Sequence, residues 1–304
     1  MSPRLSWFRY RPNLKTSLFV LGSVVLAHQM GSLLKPSPLF PADPAPRTVI
    51  RSLTANITTI SLPFSRFGRI SLGARATLVR LSSGSLAVFS PVKLTEPVRA
   101  AVEELGGGKG VAYVVAPDIE HHIGVSEWKA AYPNAKLLGP EGLPEKRANQ
   151  GKTETFDVVF TKGKEWKVDE EFDRDFEVEY VPAHPNREIA FLYKPDKVVI
   201  EADLMFNLPP DEQYSLAKSE RTNNVLDRIF HAIAKTEGDL TWTRRFMWYA
   251  MSSSDREGFN ASLRRIDAWD FDTVVPCHGD TMLGDGKERF RKVFQWHLEN
   301  KKKD

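Results

Sequence analysis

Val111-Ala112-Tyr113-Val114-Val115-Ala116-Pro117-Asp118-Ile119-Glu120-His121-His122-Ile123-Gly124 is the stretch on which the fold turns. Six apolar residues in succession, 111–116, mark a strand buried on both faces rather than one with a wet side. Pro117 cannot donate to a ladder and ends the strand. The loop that follows is polar and carries two adjacent imidazoles ahead of a glycine. Loops held at the end of a buried strand are where α/β proteins place ligand chemistry, because a rigid sheet fixes them.

Outward from this point the chain alternates between strand and helix signals. Upstream, residues 57–62, 76–81 and 85–89 are rich in β-branched and apolar side chains, with Gly73 and Ser82-Ser83-Gly84 as turns. Residues 96–105 have helical spacing, and Gly106-Gly107-Gly108 ends the helix. Downstream, 127–132 reads as helix and 135–138 as strand, and Pro140-Glu141-Gly142 turns into another helix. Residues 176–181 (Phe-Glu-Val-Glu-Tyr-Val) alternate and predict a half-exposed strand. Residues 188–193 and 197–201 flank Lys194-Pro195-Asp196 as a hairpin. Residues 208–270 read as a mostly helical, polar insertion whose aromatics (Phe230, Trp242, Phe246, Trp248, Tyr249) form added core or a substrate wall. A short strand, 273–275, precedes a closing helix. This order predicts a layered α/β domain over 48–304.

Residues 1–47 differ in kind. No acidic residue precedes Asp43, and Arg4, Arg9, Arg11 and Lys15 lead into a mostly apolar run, 16–34, broken by His28 and Gln29 and closed by Lys35. A spanning helix needs ~20 such residues, so a membrane anchor with a cytosolic amino terminus is expected, with a mitochondrial presequence as the alternative. Pro36, Pro38, Pro41, Pro44 and Pro46 make a stiff linker. The net charge of +3 over 304 residues is too small to indicate a nucleic-acid partner. One cysteine, Cys277, excludes an internal disulfide and a metal cluster built from cysteines. The sequons at Asn56 and Asn260 and the terminal Lys301-Lys302-Lys303 are short patterns that arise by chance.

Five side chains that suit metal chemistry fall just after strands. They are His121 and His122 after 111–116, His184 after 176–181, Asp203 after 197–201, and His278 in Val-Pro-Cys-His-Gly-Asp after 273–275. Imidazole and carboxylate are donors that zinc and iron favour. A single histidine in such a place is more often a capped or solvated loop residue, and Asp203 alone would read as a cap. Their joint placement at strand ends carries the argument. His28, His231 and His297 lie elsewhere and receive no role.

This order of motifs resembles the metallo-β-lactamase superfamily. The first motif there is His-x-His-x-Asp-His-x-Gly after a buried strand. Here His122 and Gly124 match, His121 stands at the Asp, and Pro117 and Ile119 stand at the first two histidines. His184 is similar to the third-motif histidine, Asp203 to the bridging Asp and His278 to the last His. Ala116-Pro117, Glu127-Trp128, residues 132–136 and residues 275–280 are further similar to a family of unknown function within that superfamily. The resemblance implies an αβ/βα sandwich and a reduced site. One divalent ion is expected on His122, Asp203 and His278, with His121 or His184 beside it. Zinc is favoured, iron or manganese are the alternatives, and a metal-free descendant is also allowed. Asp203 or Asp118 would accept a proton. The expected activity is hydrolysis of an ester, thioester or lactone in a small molecule through metal-generated hydroxide. The alternatives are a membrane-associated scaffold that has lost catalysis, and a mononuclear non-haem iron enzyme.

Overall fold

The computed structural model describes residues 38–301. The apolar run 16–34 lies outside the described residues. Among the described residues no helix is long and apolar enough to cross a membrane.

Among the described residues thirteen strands form two main sheets and a small hairpin. The larger sheet contains β1 (Val49–Ser52), β2 (Ile57–Leu62), β5 (Ala74–Arg80), β6 (Leu86–Phe89), β7 (Val111–Val115), β8 (Lys136–Pro140) and β9 (Val158–Phe160), in that spatial order. It is antiparallel from β1 to β6 and parallel from β6 to β9. The second sheet runs β10 (Phe176–Val181), β11 (Glu188–Tyr193), β12 (Val198–Ile200) and β13 (Thr273–Val275), antiparallel until the parallel β12–β13 pair. Between β2 and β5, β3 (Ser65–Arg66) and β4 (Ile70–Ser71) pair as a separate hairpin.

The layers follow from the period of two along each strand. In β6, Ala87 and Phe89 point toward the second sheet and meet Phe176, Ile189 and Phe191 there. Leu86 and Val88 point the other way, onto helices α1 (Glu96–Gly106), α2 (Val125–Ala131) and α3 (Leu143–Asn149) through Val98, Val102, Trp128 and Leu143. A short α4 (Glu170–Asp175) leads into β10. The outer face of the second sheet packs Leu192, Val199 and Val274 on α7 (Arg256–Ala268) and α8 (Gly286–Val293) through Phe259, Leu263 and Phe290. Helix, sheet, sheet, helix is the expected sandwich. Between β12 and α7 lie α5 (Val225–Ile233), α6 (Thr241–Phe246) and a π-helical turn at Met247–Met251, and α9 (Gln295–Leu298) follows α8.

Strand β10 is more buried than its alternation predicts. Glu177 is exposed, but Glu179 is 7% exposed and takes a bidentate pair from Arg265 of α7, at 2.7 and 2.6 Å. The polar face of this strand is covered by a helix that brings its own cation, a partner 86 positions away in sequence.

Candidate metal centre

β10, β12 and β13 run in the same direction, so His184, Asp203 and His278 leave the second sheet at one end. The loop after β7 meets them from the larger sheet. Its shape is set by Asp118, whose buried Oδ1 accepts from the backbone N–H of Glu120 and of His121, both at 2.7 Å, and lies 2.9 Å from His121 Nδ1. Gly124 closes the loop. A Cβ there would stand 2.2 Å from the Pro91 carbonyl oxygen, which instead accepts the Gly124 N–H at 3.1 Å.

The two adjacent histidines diverge. His121 turns inward, and its Nε2 lies 3.2 Å from His278 Nε2. His122 turns away from His278, still buried, to Arg147, whose Nη1 donates to His122 Nδ1 at 3.0 Å and to the His122 carbonyl at 3.1 Å. Burial, with Lys146 and Arg147 alongside, pushes His122 down to about 4. His184 is buried with its ring stacked on Phe259; Nδ1 accepts from the Asn186 N–H, and Nε2 has no hydrogen-bond partner. Burial pushes it to about 4.

The structure therefore brings together His121, Asp203 and His278, with Asp118 and Cys277 beside them. The donor atoms of His121, Cys277 and His278, and those of Asp118, His121 and Asp203, each lie within 4.8 Å of one another. His122 and His184 are in neither group. Pro117 and Ile119 supply no donor; Ile119 packs against the core.

Asp203 Oδ2 accepts from Asn186 Nδ2 at 2.5 Å, while Oδ1 is buried without a partner, 3.4 Å from His278 Nε2 and 3.9 Å from His121 Nε2. Burial, with Asp118 nearby, pushes this carboxyl up to about 6, against His121. His278 Nδ1 sits 2.6 Å from the Gly73 carbonyl, and burial with His121 holds His278 down to about 3. Burial opposes the charged form of His121, yet Asp118, Cys277 and Asp203 carry its pKa well above the usual value.

Several supports have partners that only the fold reveals. Buried Glu188 accepts the Ala202 and Asp203 N–H groups at 2.7 and 3.0 Å, and Glu201 accepts those of Leu204 and Met205. Arg75, 1% exposed, donates through Nη1 to the carbonyls of Pro276 and Gly279 at 2.6 and 2.8 Å. Gln213 bridges the same loop, from the Cys277 carbonyl to the Gly279 N–H. The signal in the sequence was an acid at the edge of an apolar strand, as at Glu188 and Glu201, and an arginine within a strand pattern at Arg75.

A cavity of about 70 Å³ opens onto this group, lined by Phe40, Phe64, Val92 and Cys277, with Leu39, Arg66 and Ile123 also on its wall. Phe64 stacks on His278 at 5.5 Å and Phe206 lies against its ring at 5.4 Å.

Solved structures share this architecture. A metallo-β-lactamase from Erythrobacter litoralis is similar at TM-score 0.54 and 11% identity over 83% of this chain and 97% of its own. One from Hirschia baltica is similar at TM-score 0.52 and 8% identity over 82% and 97%. The flavodiiron core of Flv1 from Synechocystis matches at 0.54 and 13% identity, covering 83% of this chain and 61% of its own. At such identities the likeness establishes the fold. No curated protein sequence matches the chain. The family model described as a domain of unknown function, DUF4336, matches residues 66–251, which is more than half of the sequence. The chain thus has the metallo-β-lactamase fold and belongs to the DUF4336 family.

Proposed function

We propose that this protein is a single-metal hydrolase whose ion is held by His121, Asp203 and His278, with Cys277 as a neighbouring donor. One observation carries the reading. Each of the two histidines has its Nδ1 facing an oxygen acceptor, the Asp118 carboxylate or the Gly73 carbonyl. Their Nε2 atoms then face each other at 3.2 Å with lone pairs exposed. Two such nitrogens repel unless a proton or a metal ion lies between them. The buried, unpartnered Oδ1 of Asp203 points at the same spot. Ligands 2.0–2.1 Å from a tetrahedral ion are ~3.3 Å apart; two edges of the set, at 3.2 and 3.4 Å, are close to that, and the third, His121 to Asp203, is wider at 3.9 Å. Three protein donors with a fourth position open is the arrangement of catalytic rather than structural zinc. Iron and manganese accept the same donors.

A divalent ion held there would supply Lewis acidity toward a carbonyl oxygen and acidify water beside it. The residues of the chain do the rest. Asp118 and Gly73 fix the tautomers of the two rings, the usual task of groups behind a metal-binding histidine. Phe40, Phe64 and Val92 keep the cleft apolar. Asp203 and Asp118 are the carboxylates within reach of a proton. A cavity of about 70 Å³ admits a reacting carbonyl and leaves the bulk of the substrate at the rim. Ester, thioester and lactone carbonyls fit this chemistry.

A second reading, a metal-free binding protein, is favoured by the raised pKa of His121, because a proton can also satisfy the facing nitrogens. Elemental analysis of the purified full chain separates the two. About one zinc, iron or manganese per chain is expected, with hydrolysis of at least one aryl ester, thioester or lactone that chelation abolishes and metal restores. A chain without stoichiometric metal, inert toward all three, would overturn the proposal. Asp118→Asn supplies a finer test. Losing the charge behind His121 should weaken zinc binding about 10–100-fold, read by competition with a chromophoric chelator.

A further inference from the structure

The described chain begins beside the cleft. The Leu39 carbonyl accepts the Ser65 N–H at 3.0 Å, and Phe40 packs edge-on against Phe64 at 5.1 Å, one ring from His278. Leu39 is only five residues beyond the apolar run 16–34, a span of at most ~17 Å even fully extended. The rim of the cleft is thus joined to that run by a short stretch of chain.

The surface around the rim suits such a place. Helix α5 clamps onto the β3–β4 hairpin: Asp227 Oδ1 accepts the Ser71 N–H at 2.7 Å, and Asn224 Nδ2 donates to the Arg69 carbonyl at 2.7 Å. On this helix Val225 is 71% and Ile229 55% exposed, one turn apart and so on one face. Ile123 on the cleft wall is 57% exposed. Exposed Arg66, Arg69 and Arg228 lie among these apolar side chains; none forms an ion pair among the described residues, and Arg66 acts on Asp203 only across the cleft. Free cations interspersed with protruding aliphatics suit an interface of anionic headgroups over acyl chains. A second copy docked by the same face would set these cations against each other.

We infer that α5 and the β3–β4 hairpin rest on an anionic lipid bilayer, so that the cleft of the candidate metal centre opens against the membrane surface. This stands on the surface and on the tether, whether or not the centre is catalytic. It deepens the hydrolase reading only by favouring amphiphilic substrates taken from the lipid phase.

The test uses the full chain reconstituted in phosphatidylserine-containing vesicles. Val225→Cys or Ile229→Cys carries a fluorophore, and Glu177→Cys, exposed on β10, carries the reference label. Native Cys277 is buried and stays unlabelled. Brominated lipids should quench the labels at 225 and 229 several-fold more than the label at 177. The triple variant Arg66→Glu, Arg69→Glu, Arg228→Glu should bring that quenching down to the level of the reference label. Labels at 225 and 229 that remain open to aqueous iodide would overturn the inference. Labels shielded from both iodide and brominated lipid would also overturn it, since residues 1–37 or a second copy would then cover the face.

Discussion

Asp203→Asn should empty the metal centre while leaving the metal-free protein at least as stable as before. Zinc affinity is expected to fall by two to three decades, since ~10–16 kcal/mol spread over four ligands is about 3 kcal/mol for each. The stability change should have the opposite sign. Asp203 Oδ1 is buried with no hydrogen-bond partner, and Asp118, Glu188 and Glu201 are buried nearby. An amide of the same shape removes one charge from this group of acids and keeps the contact with Asn186. Residues that cost stability while serving a site are expected at functional positions. Isothermal titration with zinc and thermal melting of the apoprotein measure the two effects separately. A variant that binds zinc as tightly as the parent would remove Asp203 from the ligand set. The pH dependence has a definite sign. Because the pKa of His121 is raised well above 6.5, zinc binding near neutrality must expel a proton. Apparent affinity should therefore rise about tenfold per pH unit until that pKa is passed. His122→Ala is the control, with parental zinc stoichiometry expected because that ring faces Arg147.

That control marks where sequence reasoning ran out. Spacing placed His121 and His122 at the right loop, but which ring faces His278 depends on Arg147, 25 positions along, and on the grip of Asp118 on the His121 backbone. Neighbouring loop residues point to opposite sides, and periodicity does not decide which side is the site. The sandwich was easier to read. Runs such as 111–115 and 86–89 are apolar throughout because both faces are covered, and that pattern survives without knowledge of what covers them. The strands that escaped, β1, β3, β4 and β9, are two to four residues long and are held by pairing with neighbours rather than by their own pattern. Cys277 escaped as a donor because a lone cysteine says nothing until the fold sets its sulfur beside two imidazoles.

Arg75→Met should be the most destabilising change near the site, at about 3–5 kcal/mol. The guanidinium donates through Nε to Ser61 Oγ at 3.1 Å and through Nη1 to two carbonyls, and Nη2 lies 3.4 Å from Glu212 Oε2. Methionine fills much of the volume but leaves two buried carbonyls without donors and Glu212 without its buried cation, held only by the more exposed Arg51 at 3.3 Å and the hydroxyls of Ser61 and Thr281. Against a typical total stability of ~5–15 kcal/mol, that loss lowers the melting temperature by roughly 10 °C. The carbonyls belong to Pro276 and Gly279, which flank His278, so zinc affinity should fall together with stability. No residue with a side chain fits at Gly279. Its φ is +89°, and a Cβ there would meet the Asn207 carbonyl oxygen at 2.2 Å. Arg75→Lys should recover only part of the loss, because one ammonium cannot span both carbonyls and the carboxylate. Glu212→Gln in the Arg75→Met background tells the two costs apart. Recovery of most of the lost stability would mean that the stranded carboxylate carried the penalty. If the double variant stays as unstable as Arg75→Met, the penalty lies in the undonated carbonyls, and the role of Arg75 is to hold the His278 loop in the shape that aims Nε2 at His121.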